Sequence, residues 1–264
     1  MDERLPIPVE QLLQQYVQLL HHELPNHISA VYVYGSIALD AFDEHKSDID
    51  FVTIINKTLK KDDIQRLKHV HHTLQELNPL ATRMDGMYIR IQDIGKQSVA
   101  IPPYPCYADG VFKPAAYWDC NHVTWWTLKQ HGIRIDGQNI KSLIDTTWHH
   151  VEETMNENLN QYWAQKATNP LYYWFDDWVE FAVLTLCRIE YTLTYKKIVS
   201  KAQAAQHAIG TLPEKWIPLI TEALNIRKGK YAPSYLSRLE RAKLTEQFVK
   251  ERIACCNSTY FAHK

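Results

Sequence analysis

Apolar positions recur along the chain with two periods, and the change from one to the other marks the elements. Val9, Leu12, Leu13, Tyr16, Leu19 and Leu20 fall three and four residues apart, which predicts an amphipathic helix over residues 9–23. Pro25 ends it. Ile28 to Tyr34 is a β-rich run that stops at Gly35-Ser36, and Ile49 to Ile55 is a second strand candidate. Helical spacing returns from Lys60 to Leu77 through Ile64, Leu67, Val70 and Leu74, and Met87 to Ile91 reads as a third strand. This order of helix, strand, turn, strand, helix and strand predicts a small α/β domain.

Residues 101–120 break the pattern. Pro102, Pro103, Pro105 and Pro114 give this stretch a loop composition, and it is expected to be an irregular linker that contributes to an acceptor pocket. Beyond Asn121 strand signals fade, and helices are expected over Val123–Gln130, Ile140–Trp163, Trp174–Tyr195, Lys201–Ile209, Trp216–Lys228 and Tyr235–Ala254. The expected architecture is α+β, with an α/β domain over residues 1–100 and a helical bundle over residues 101–264.

Length and composition agree with two compact units, since 264 residues with 45% apolar side chains can bury more than one core. A formal net charge of -1 disfavours a long nucleic acid as partner, because phosphate-backbone binding calls for a basic surplus. Cys106, Cys120, Cys187, Cys255 and Cys256 form an odd set without C-x-x-C spacing, which fits reduced thiols in a cytoplasmic protein. No run approaches the ~20 apolar residues of a membrane span, no secretory leader is visible, and a monomer is expected. Thirteen histidines, His71-His72 among them, lack ligand spacing for zinc and read as exposed helical residues. Trp125-Trp126 is expected to pack between domains.

The chemistry concentrates at Gly35-Ser36, eleven intervening residues, then Asp48-Ile49-Asp50 at the start of an apolar strand. Residues two apart on a strand share a face, so Asp48 and Asp50 direct two carboxylates to one place. Magnesium takes one or two carboxylates plus phosphate oxygens and water, and a pair of such ions suits a triphosphate substrate. A glycine after a strand lets backbone amides approach phosphate, and Ser36 adds a hydroxyl. Asp85, ahead of the third strand, is the candidate third carboxylate, either as general base or as ligand of the second metal.

Tyr34-Gly35-Ser36 followed by Ser47-Asp48-Ile49-Asp50-Phe51 resembles the signature of the polymerase-β-like nucleotidyltransferases. Leu184 to Tyr191, Lys197 to Lys201 and Ala204-Ala205 resemble the helical domain of the aminoglycoside 3''- and 9-adenylyltransferases. The resemblance implies that Arg188 and Lys201 reach the phosphates of ATP, and that Asp85 stands where the family has a glutamate base. It also implies drug-binding roles for Trp174, Asp177, Trp178 and Glu180, since amine-bearing sugars want carboxylates and aromatic faces. The implied activity moves AMP from ATP, with two magnesium ions, onto a hydroxyl of spectinomycin or streptomycin. A lincosamide, a protein hydroxyl or a tRNA end stays open as acceptor, as does a non-catalytic antitoxin or regulator.

Overall fold

The computed structural model describes residues 2–230 and 237–262. It divides into two compact units, residues 1–147 and 148–264.

In the first unit, α1 (Ile7–Glu23), β1 (Ile28–Val33), the one-turn α2 (Gly35–Ala38), β2 (Ile49–Ile55), α3 (Lys61–Leu77) and β3 (Met84–Arg90) follow the predicted order. Then come β4 (Tyr104–Ala108), β5 (Val111–Ala116), α4 (His122–His131) and β6 (Ile133–Gly137). The six strands form one mixed sheet ordered β5-β4-β3-β2-β1-β6, in which only β2 and β3 are parallel. α3 is the crossover between them, as a parallel pair requires.

Strand alternation loads both sheet faces. Val31, Val33, Ile49 and Phe51 pack with Leu12, Leu13 and Tyr16 of α1 and Leu67, Val70 and Leu74 of α3. Ala30, Tyr32, Val52, Ile54, Met87 and Ile89 pack with Trp125 and Leu128 of α4. Trp125 is therefore core of the first unit, not a tryptophan packed between domains, and its indole N–H donates to the Lys96 carbonyl at 2.7 Å. His71 also departs from expectation. It is buried, stacked on Tyr107 at 4.0 Å and bonded through Nε2 to the Tyr88 hydroxyl at 2.6 Å. Burial pushes its pKa down to about 3, so the ring stays neutral.

Two sequence expectations need correction here. Residues 101–120 are not an irregular linker, because β4 and β5 form a hairpin that extends the sheet, turning at Asp109-Gly110, both at positive φ. The prolines that suggested a loop sit where a sheet tolerates them: Pro114 on the edge strand β5, and Pro105 at a register shift between Tyr104 and Cys106. The sheet then closes with β6 beside β1, so the first unit runs to residue 147 rather than 100.

The second unit is helical. It holds α5 (Trp148–Glu157), a π-helical turn Asn158–Trp163, α6 (Ala164–Lys166), a 3-10 turn Pro170–Trp174, α7 (Asp176–Tyr195), α8 (Lys201–Thr211), α9 (Ile217–Arg227) and α10 (Arg238–Cys256). The helix expected from Ile140 thus begins at Trp148, and the start expected at Tyr235 lies outside the described residues. α7 is apolar on nearly every side from Val179 to Leu193, which makes it the buried axis against which α8, α9 and α10 pack. Arg241 of α10 bridges Asp176 at 2.6 Å and Glu222 at 2.9 Å, and Arg252 bridges Glu190 at 3.1 Å.

Candidate active site

The parallel register of β2 and β3 pairs Asp50 directly with Asp85. Asp50 shares its sheet face with Val52 and Ile54, and Asp85 shares the same face with Met87 and Ile89. Neighbouring strands lie ~4.8 Å apart, so the two carboxylates leave adjacent backbones toward one side. Asp85 is thus a strand residue, and the glycine after it is a packing requirement rather than a turn. A Cβ at Gly86 would lie 2.1 Å from the Phe51 carbonyl oxygen.

Asp48 stands exposed, one residue before β2, at the end of a loop that is firmly tied. The Asp43 N–H donates to the Ser47 hydroxyl at 3.0 Å. The Arg83 guanidinium donates to the carbonyls of Asp43, Glu44 and Ser47.

Gly35 brings the bend against this carboxylate pair. Its φ is +61°, and a Cβ placed on it would sit 1.8 Å from Oδ2 of Asp50. Only glycine leaves room for the Asp50 side chain there. The Tyr34 N–H donates to the Asp50 carbonyl at 3.0 Å, which ties the end of β1 to β2 at the site. Ser36 Oγ and Asp85 Oδ1 are shut off from water and have no hydrogen-bond partner. Each such orphan costs ~1–3 kcal/mol, a cost that a ligand offering a complementary group would remove.

Like charges and burial tune the site. Burial raises the Asp85 carboxyl to a pKa of about 7, helped by the negative charges of Asp48, Asp109 and Asp119 and opposed by a hydrogen bond from the Trp118 side chain. The Tyr34 phenol is pushed well above its usual range by burial and by the charges of Asp119, Asp50 and Asp85.

Trp118 and Asp119 are site neighbours that sequence reasoning missed. They follow β5, in the stretch read as linker, and the Tyr104 hydroxyl pins them: it accepts from the Trp118 N–H and donates to the Trp118 carbonyl, both at 2.8 Å. Asp119 accepts from Thr124 Oγ1 at 3.0 Å and from Asn121 Nδ2 at 2.8 Å. The legible signal was Asp109-Gly110 between alternating runs, a hairpin turn that carries the chain back to the acids.

The donor set fits magnesium by its chemistry. Among the described residues no three or more His, Cys, Asp or Glu side chains form a ready metal cage. Magnesium does not need one, because one or two hard carboxylates leave positions for phosphate oxygens and water.

In the second unit, Arg188 is half-buried on α7. Lys201 is the first residue of α8, after a capping box of Ser200 and Gln203. Its Nζ lies 3.9 Å from Glu180 Oε1 and 5.0 Å from the Phe181 ring centroid. Glu180 is also bridged by Arg227 at 2.9 Å, so this acid already has internal cations. Trp178 packs on Tyr172 and Phe181, Trp174 is 39% exposed, and Asp177 is exposed in the first turn of α7.

Comparison with known proteins places these two units in a familiar pairing. Residues 13–86 match the nucleotidyltransferase domain, and residues 142–252 match the aminoglycoside adenylyltransferase C-terminal domain. An aminoglycoside (3'') (9) adenylyltransferase of Escherichia coli is 24% identical over 269 residues, covering 96% of this chain and 98% of its own. A spectinomycin 9-adenylyltransferase of Campylobacter jejuni is 23% identical over 260 residues, covering 92% and 95%. The crystal structure of the spectinomycin adenyltransferase AAD(9) from Enterococcus faecialis with ATP and spectinomycin has the same fold, with a TM-score of 0.69 at 17% identity over 92% of this chain and 98% of that one. The chain is therefore an enzyme built from a nucleotidyltransferase domain and an aminoglycoside adenylyltransferase C-terminal domain, and it resembles the aminoglycoside 3''/9-adenylyltransferases.

Proposed function

We propose that this enzyme transfers AMP from ATP to a hydroxyl of an aminoglycoside or aminocyclitol antibiotic, spectinomycin or streptomycin, with two magnesium ions, in the cytoplasm and as a monomer. The observation that carries this reading is the Asp50–Asp85 pair, one register position on two parallel strands, set against a bend that only glycine can make.

Asp48 and Asp50 are the oxygen donors that would hold the ions, with Asp85 as a third donor or as the base. Bound there, the ions supply charge neutralisation of the triphosphate and a lowered pKa for the acceptor hydroxyl. Gly35 offers unobstructed backbone and Ser36 a hydroxyl donor to phosphate oxygens, and Arg188 and Lys201 are carried over from the resemblance as phosphate-binding cations. Asp85, in register with Asp50 on the neighbouring strand, is placed to serve as that third donor or to take the acceptor proton. Trp174, Asp177, Trp178 and Glu180 are assigned to the acceptor. Glu180 would then act with Arg227 and Lys201 attached, as an orienting acid rather than a bare one.

The decisive experiment incubates the purified protein with ATP, magnesium and a panel of antibiotics and reads each drug by mass. An added adenylate on spectinomycin or streptomycin is expected. Pyrophosphate release without any drug adduct would overturn the acceptor assignment.

A further inference from the structure

The helical unit gathers aromatic rings around one lysine. Lys166, the last residue of α6, holds its Nζ 4.1 Å from the ring centroid of Tyr172, 5.0 Å from that of Trp178 and 5.5 Å from that of Tyr162. The rings come from three separate segments: the π-helical turn, the 3-10 turn and the start of α7. They also touch one another or a common neighbour, with Tyr172–Trp178 at 5.0 Å, Trp178–Phe181 at 5.9 Å and Tyr162–Phe181 at 6.4 Å. Several π faces within ~6 Å of one ammonium is the arrangement by which proteins recognise alkylammonium ligands.

Two observations separate this cluster from ordinary packing. Lys166 forms no ion pair among the described residues, so the rings are its partners. A π-helical turn, uncommon and frequent at functional sites, presents Tyr162.

We propose that Tyr162, Tyr172 and Trp178 form a cage for a protonated amine of the acceptor, and that Lys166 is its resident occupant, displaced when such an amine binds. The identity of the amine rests on the adenylyl-transfer reading; the cage does not. The four side chains are partly open to solvent, so Lys166 is held weakly and exchanges at little cost. An incoming amine restores the cation–π contact it displaces, whereas a neutral group of the same shape does not. The cage therefore selects for charge.

The test uses the full chain, choline as probe, and as control the neutral isostere in which carbon replaces the quaternary nitrogen. Calorimetric titration of Lys166→Gln, with circular dichroism to verify the fold, is expected to show choline binding about tenfold tighter than in the wild type. Adding Trp178→Leu is expected to erase that gain, and the isostere to bind neither form. In the wild type, the ring-shifted methylene resonances next to Lys166 Nζ should move toward ordinary lysine values as choline saturates the cage, a measurement that needs no variant. Equal choline affinity in wild type and Lys166→Gln, or lysine resonances that stay fixed at saturation, would overturn the proposal. If choline behaves as expected but no antibiotic is adenylated, the cage stands and the acceptor assignment falls. If an antibiotic is adenylated while choline and its isostere bind alike, the cage alone falls.

Discussion

At the scale of single residues, the site's behaviour follows from how little space and solvent it has. On the proposed reading, Asp50→Asn keeps the shape but removes a hard anionic ligand, so adenylyl transfer is expected to fall on the order of a thousandfold, the several kcal/mol that bound metal supplies to a charged transition state. Single-turnover rates at saturating ATP check this, and a rate within tenfold of wild type would refute the ligand role. Gly35→Ala adds a Cβ where Asp50 Oδ2 lies and forces a left-handed φ that costs ~1–2 kcal/mol. The expected result is lost activity with a lowered melting temperature. Asp85 gives a pH signature in the metal-free protein. Its folded pKa of about 7 lies above the value near ~3.9 of an unfolded aspartate, so the folded state binds the extra proton between these limits. Stability from this group is therefore present at pH 4 and is lost as pH rises toward 7 and beyond. Asp85→Asn should melt higher than the wild type at pH 8 and no higher at pH 4, measured with chelator present.

At the scale of elements, the long amphipathic helices and the strands beside the acids were legible because their apolar periodicity is local. β6 and the β4–β5 hairpin were not. β6 has only five residues, Ile133 to Gly137, too few for the alternation of Ile133 and Ile135 with Arg134 and Asp136 to stand out, and it becomes a strand because β1 offers an unpaired edge. The hairpin contains two prolines that any composition rule assigns to a loop. Its pairing with β3 is what allows them. In the helical unit, the Arg241 bridges staple α10 to both α7 and α9. Arg241→Ala leaves Glu222 without its largely desolvated partner, and the cost should be on the order of 3 kcal/mol in chemical denaturation. An effect below 1 kcal/mol would show that the helices hold without it.

At the scale of the whole molecule, the proposed reading has a triphosphate meet a site of clustered acids, and a divalent cation between them would offset the repulsion. Magnesium and ATP together are accordingly expected to raise the melting temperature by more than the sum of their separate effects, and Asp50→Asn to abolish the excess. From the chain alone one could read the α+β class, the strands that flank the Gly35-Ser36 bend and the helical character of the second half, because each is written within a few neighbouring residues. Resemblance added Arg188, Lys201 and the acceptor. Tertiary structure alone decided that Asp85 sits in register with Asp50, that Trp118 and Asp119 return to the site, that Glu180 is bridged by Arg227 and Lys201, and that Lys166 lies among three rings. Strand register and helix packing bring together residues that stand far apart along the chain, and no local pattern of side chains records such a meeting.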